Sequence, residues 1–437
     1  MRMMILASLV ACLFVLAPAV RAELKPGVMV DKSNAAETKD LLPPEIFSHF
    51  EKNEYMNTLV EYPNSCFKHD DGFDAATEAN RANLTLDADK QPVDKATGKR
   101  PDYLTGYPFP DIKEDDPDAG VKILWNNNYG TYNGGNSRNV TSINWVSPTG
   151  LDRSSLQDVV FLFYDGQPKH YIPPANPENY LFQFIALTLG PADLQGTAAL
   201  SYRYRDPGKR DASWAYVPAL RRIRAVSPTN RSDGFLGSDL SQDDGTFFDG
   251  KPEDFTWRLV GHKDGLRFTD PKSIEGKVER KPIPGAAGGW RTIYRDKDKV
   301  TGFQVPDWKG IGWAPIRAAL TKRKMWIIEG APKDKYYLYG KIELWIDDFT
   351  WQGAWNRKFS WKGELLNTYQ VTGPASAPYD DKEQWWGSTF GWQTAENVKA
   401  NRATVAGLEP PGDVPSDRRM PLQPSFFDYR TLNRFGK

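Results

Sequence analysis

The stretch TAALSYRYRD, residues 197–206, alternates with a period of two. Ala198, Leu200, Tyr202 and Tyr204 fall on one face, Ser201, Arg203 and Arg205 on the other. Successive side chains of a strand point to opposite faces, so the pattern predicts a half-buried strand of an antiparallel sheet. The pattern recurs. In KYYLYGKIELWIDD (335–348), Tyr336, Leu338, Ile342, Leu344 and Ile346 share a face opposite Lys341 and Glu343. In WQGAWNRKFSW (351–361), Trp351, Trp355, Phe359 and Trp361 alternate with polar or small residues. YDGQ (164–167) and WKGE (361–364) supply hairpin-turn chemistry.

Composition agrees with that reading. Fifteen tryptophans and 33 prolines in 437 residues fit many short strands, aromatic on one face and joined by turns. The formal net charge is zero, and a basic stripe without a basic domain is a poor footprint for nucleic acid, so that partner is set aside. The first residues, MRMMILASLVACLFVLAPAVRA, combine Arg2, an apolar run from Met3 to Leu16 and a small-residue site at Val20-Arg21-Ala22. They read as a secretory signal peptide, residues 1–22, with the mature chain starting at Glu23. LVAC, ending at Cys12, resembles a lipobox, but the apolar segment before it is short and an equally apolar one follows, which favours cleavage after Ala22. Cys66 would then be the sole cysteine of the mature chain, so burial rather than a cross-link must stabilise it.

Four regions are expected. The signal peptide is followed by a helical and irregular region, 23–119, in which Ser33 or Asn34 caps a short helix and Pro43-Pro44 separates it from a second. A curved antiparallel β domain is expected over 120–375, and an extended, proline- and tryptophan-rich strap over 376–437.

The residues show no catalytic set. His49, His69, His170 and His262 are scattered without metal-ligand spacing, and neither a metal nor a cofactor is expected. Asp243-Asp244 and Asp347-Asp348 read as turn and strand-end aspartates, since adjacency does not set two carboxylates across a cleft. No nucleophile elbow, P-loop or dinucleotide fingerprint occurs, so the chain is not expected to be an enzyme. SWAYVPALRRIR (213–224) stands apart, because an aromatic strand grades into arginines. In strand geometry Trp214, Tyr216, Leu220, Arg222 and Arg224 point one way, with Pro218 marking a bulge or an edge.

Longer strings carry a resemblance. WAYVPALRRIRAVSPTNRSDGFLGSDLSQDD (214–244) and KIELWIDDFTWQGAWNRKFSWKGELL (341–366) resemble segments of outer-membrane lipoprotein-sorting-like proteins. TGYPFPDI (105–112) and DLLPPEIFSHFEKNEY (40–55) are similar to a larger, uncharacterised branch of that Gram-negative periplasmic superfamily. The resemblance implies a LolA/LolB-like fold, mainly β: a large curved antiparallel sheet forming an incomplete barrel, its open side closed by helices over an apolar cavity. It implies a periplasmic location, with possible outer-membrane association, and carriage of lipid or lipoprotein-like hydrophobic cargo between inner and outer membrane. A resistance-nodulation-division type inner-membrane transporter and an outer-membrane protein are the partners it implies. The mature chain, 437 − 22 = 415 residues, is about twice a simple carrier domain. The alternatives are a non-catalytic adaptor of an export complex and, less favoured, a secreted enzyme acting on glycan or lipid. Variable strand spacing and internal prolines argue against an outer-membrane β-barrel.

On this reading Trp214, Tyr216 and Leu220 line the cargo face, and Arg222 and Arg224 continue it to the rim. There the arginines meet either anionic head groups or Asp239, Asp243 and Asp244 of the following loop, which they would clasp.

Overall fold

The computed structural model describes residues 24–64, 69–227, 231–271, 279–295, 298–373, 375–378, 384–389, 391–410 and 412–436. The expected leader 1–22, with Cys12, and also Cys66 lie outside the described residues.

Strands β1 (Met29–Val30) and β2 (Asn57–Val60) flank α1 (Pro44–Glu51), which Pro44 opens at its first turn. Helix α2 (Asp71–Asn83) is capped by Asp70, whose carboxylate accepts from the Phe73 amide at 3.1 Å. A small hairpin, β3 (Leu84–Leu86) and β4 (Pro92–Asp94), precedes α3 (Ala119–Tyr132). A meander follows: β5 (Ser137–Ser147), β6 (Gly150–Phe163), β7 (Tyr180–Gly190), β8 (Ala198–Tyr204), β9 (Ala212–Val217) and β10 (Arg222–Val226). After a long loop come β11 (Phe255–Thr269), β12 (Glu279–Pro282), β13 (Trp290–Ile293), β14 (Ala319–Pro332), β15 (Lys341–Asp347) and β16 (Gly353–Phe359). The remaining strands are β17 (Leu365–Val371), β18 (Ala375–Pro378), β19 (Gln384–Thr389), β20 (Gln393–Asn397), β21 (Arg402–Leu408) and β22 (Ser416–Arg418).

The main ladder is antiparallel throughout, in the order β10-β9-β8-β7-β6-β5-β21-β20-β17-β16-β15-β14-β11. A branch β22-β13-β12 continues from the start of β5, and β2 adds a short parallel pair to β14, with β1 beyond it. Among the described residues no ladder joins β10 to β11, so the sheet is not closed into a barrel. The mainly-β, unclosed antiparallel architecture expected from the alternating stretches is present.

Its limits differ from the expected ones. Residues 119–132 are helix, and its pattern is obscured because eleven of its fourteen residues are buried, which leaves no polar stripe. Asn126 donates to and accepts from the Phe109 backbone at 2.7 and 2.9 Å, so this buried amide is satisfied. At the other end the sheet does not stop at residue 375: β21 sits centrally, between β20 and β5. Buried Thr394, Glu396 and Thr404 gave these central strands a loop-like composition. YDGQ opens a long connection between β6 and β7 rather than a hairpin turn, while WKGE does turn β16 into β17. Tyr336 and Leu338 leave the strand pattern too, lying exposed in the β14–β15 loop.

Both faces of the sheet are covered. On the inner face α3 and the loop 231–254 pack on Phe163, Phe182, Trp257, Ile328, Leu344 and Tyr369. The outer face is covered in two pieces. α1 and Trp313 lie with Met325, Ile327 and Trp355, and the segment Pro424–Gly436 lies on β6–β9, with Phe427 and Leu432 against Leu162, Ile185, Leu200 and Tyr216.

Candidate functional site

The hairpin β9–β10 separates the residues that the sequence grouped. Pro218–Leu220 form a 3-10 turn closed by Arg221 at φ +48°, and pairing resumes at Val217↔Arg222, Tyr216↔Ile223, Ala215↔Arg224 and Trp214↔Ala225. Cross-strand partners share a face. Trp214 and Tyr216 therefore lie on the outer face, and Arg222 and Arg224 on the inner. The expected single face is wrong because the chain reverses at 218–221, where parity along one strand no longer applies.

The aromatic part of the expected site is occupied by the chain itself. Tyr216 is buried, and Gly436 sits so close that a Cβ there would clash with its ring. Trp214 stacks on Tyr429 with ring centroids 4.6 Å apart and planes 10° apart. Leu220 is exposed at the turn, away from both.

The expected clasp is absent as well. Asp239 accepts from Arg402 Nε at 3.0 Å and Asn397 at 2.9 Å. Asp243 accepts from Arg231 Nε at 2.6 Å and the Tyr337 hydroxyl at 2.7 Å. Asp244 pairs with Lys358 and accepts from the Ser241 amide at 2.7 Å. Among the described residues no ion pair reaches Arg222 or Arg224. Asp239 and Asp244 had nearer cations on strands distant in sequence, which spacing along the chain could not reveal, and Asp243 had Arg231 of its own loop.

These acids belong to a buried network that pins the loop 231–254 to the inner face. Arg203 on β8 donates to Asp211 at 2.8 Å and to the Asp249 carbonyl at 2.6 Å. Arg231 reaches Asp211 at 2.9 Å and Asp249 at 3.2 Å. Burial opposes the Asp211 charge, but Arg203 and Arg231 outweigh it and hold this carboxyl below the usual carboxylate range. At Asp249 burial prevails, and the pKa is raised. Beneath the network runs an aromatic surface on β6 and β7: Phe161 lies 4.7 Å from Phe184, Phe163 lies 5.8 Å from Phe182, and Arg203 lies 5.0 Å over Phe182. A cleft of about 360 Å³ opens where the loop meets the hairpin tips, between Ser232, Asp239, Leu338, Tyr339, Asn397 and Lys399. Its lining is polar along the loop and apolar at Leu338, Tyr339, Leu366 and Ala400. Asp347, read as a strand-end aspartate, holds the β15–β16 turn through the Phe349 and Thr350 amides at 3.0 and 2.9 Å.

An open, mainly antiparallel sheet with a helix and an ion-paired loop on its inner face defines the class. The match to the model of DUF1329, a protein family of unknown function, runs over residues 29–432, and the chain belongs to that family. An uncharacterized protein of Pseudomonas aeruginosa is 23% identical over 319 residues, which cover 70% of this chain and 60% of that protein's length. A solved domain from Vibrio parahaemolyticus, named for outer-membrane lipoprotein sorting, is 16% identical, with a TM-score of 0.47 over 73% of this chain and 100% of that one. A DUF1329 structure from Desulfovibrio piger is 15% identical, with a TM-score of 0.46 over 72% and 99%. A LolA superfamily structure from Nitrosomonas europaea is 13% identical, with a TM-score of 0.39 over 71% and 97%. No helix among the described residues is long and apolar enough to cross a membrane.

Proposed function

We propose that the chain is a non-catalytic, periplasmic handler of hydrophobic cargo, and that cargo enters when the loop 231–254 lifts from the inner face. One observation carries this reading: an aromatic surface, with Phe161 and Phe184 only partly buried, lies under a loop tied down by buried charge pairs as well as by Leu240, Phe247 and Phe248. A cover fixed by apolar area resists removal in proportion to that area. Buried ion pairs are nearer to break-even, because both partners regain water when they separate together. An acyl chain or polycyclic carbon would replace the loop against the phenylalanines.

Solvent extraction and mass spectrometry of the purified protein test this. A stoichiometric lipid, accompanied by faster amide exchange in 231–254 than in the delipidated chain, supports the reading. Lipid-free protein whose loop exchange is unchanged by added lipid refutes it.

The filled inner face favours a second reading, that of a structural adaptor beside a resistance-nodulation-division type exporter. Cross-linking in cells to an inner-membrane transporter, with no cargo recovered, would support the adaptor.

A further inference from the structure

Strands β14, β15, β16, β17, β20 and β21 are linked by hairpins whose tips, 333–340, 360–364 and 398–401, project from one end of the sheet. Large apolar side chains stand out there: Tyr336 is 81% exposed, Trp361 53%, Leu338 49% and Val398 37%. The Trp361 indole N–H donates to the Tyr337 carbonyl at 2.9 Å, so its polar edge is satisfied by protein while the ring remains in water. Lys333, Lys335, Lys362 and Lys399 are exposed on the same tips, against Asp334 and Glu364 there and Asp233 on the adjoining loop. No ion pair among the described residues engages these four lysines.

We infer that these tips dock the protein on the surface of an anionic phospholipid bilayer. Tryptophan and tyrosine suit the headgroup level, where an apolar ring and a polar edge are both accommodated, and Leu338 and Val398 reach the acyl boundary. The lysines meet lipid phosphates. A protein partner fits less well, because lysine is depleted from protein interfaces whereas aromatics are enriched. Docking also orients the molecule: Leu338 and Lys399 both belong to the tips and line the cleft, so the mouth of the cleft faces the membrane. This inference does not rest on cargo binding, since an adaptor would use the same tips.

The test is co-sedimentation of the full chain, as isolated from cells, with vesicles of phosphatidylethanolamine and phosphatidylglycerol, and with phosphatidylcholine vesicles as the neutral probe. Binding to the anionic vesicles that weakens with salt is expected. Tyr336→Ser, Leu338→Ser and Trp361→Ser combined should weaken it at least about tenfold, each deletion removing apolar area from the interface. Lys333→Gln, Lys335→Gln, Lys362→Gln and Lys399→Gln combined should weaken anionic binding about twentyfold or more and leave neutral binding nearly unchanged. Circular dichroism and melting of both variants should match the parent, as all seven side chains are exposed. A parent that ignores both vesicles overturns the inference, as does undiminished binding by either variant. Capture of a protein through the tips without vesicle binding overturns it in favour of a protein partner.

Discussion

The two faces of the sheet are covered with different shares of charge. The outer covers are held chiefly by apolar contact: Trp313, Trp355 and Phe50 are fully buried on one half, and Phe427 and Leu432 close the other. The inner loop also buries Leu240, Phe247 and Phe248, and to these it adds Arg203, Arg231 and Lys358 paired with Asp211, Asp243, Asp244 and Asp249. Apolar cover weakens gradually as area is removed, whereas a buried charge pair fails when either partner is lost. On the reading proposed above, these added charge pairs make the inner loop the cover that lifts.

The largest expected effect tests the outer cover. Trp355→Ala removes a fully buried indole that donates to the Leu266 carbonyl at 2.9 Å. Denaturant unfolding should show a loss of about 4 kcal/mol. Next comes the inner cover: Lys358→Met leaves Asp244 buried without its cation and should cost about 3 kcal/mol, most of it recovered in the Lys358→Met/Asp244→Leu double variant. A double variant as unstable as the single would mean that the pair does not hold the loop.

A smaller, pH-dependent effect blurs the contrast at one place. His49 on α1 lies 2.7 Å from Glu54 and 2.9 Å from Glu396 of β20, stacked on Tyr55. Burial opposes its charge, but Glu396 and then Glu54 outweigh it and push the pKa up from 6.5 to about 9. The stabilisation is complete below pH 6.5, where both folded and unfolded imidazole are charged. It is lost as pH rises through about 9. The melting temperature should therefore fall between those values, and His49→Gln should flatten that slope. The smallest effect is expected at the hairpin. Arg222→Gln with Arg224→Gln should shift stability by no more than about 0.5 kcal/mol, since both are exposed and no acid among the described residues pairs with them. A large drop would restore a structural role for them.

Strand identity was legible in Ala198–Tyr204 because apolar and polar residues alternate there, although Ser201 and Arg203 are buried too, under the loop 231–254. It was hidden in Gln393–Asn397, where both faces are covered and polar side chains bond within the interior, and in α3, buried almost all round. The candidate site was less legible. Alternation put Tyr216 and the arginines on one face, but it does not register the local reversal at Pro218–Arg221, and the partners Lys358 and Arg402 depend on contacts between residues remote in sequence.

An unclosed sheet has two edge strands, and unpaired backbone there invites another chain to add a strand; on β11 the Leu266 amide and the Phe268 carbonyl are already bonded to Leu41 and Gly373. At one edge β10 is only five residues long and carries Arg222 and Arg224 in place of apolar side chains. At the other, the fifteen-residue β11 breaks its register at Val260, between Leu259 and Gly261, and sets exposed Lys263 and Asp264 just beyond. A short charged edge and a bulged one are both poor templates for stacking. Arg222 and Arg224 thus place charge where a second copy of the sheet would have to pair.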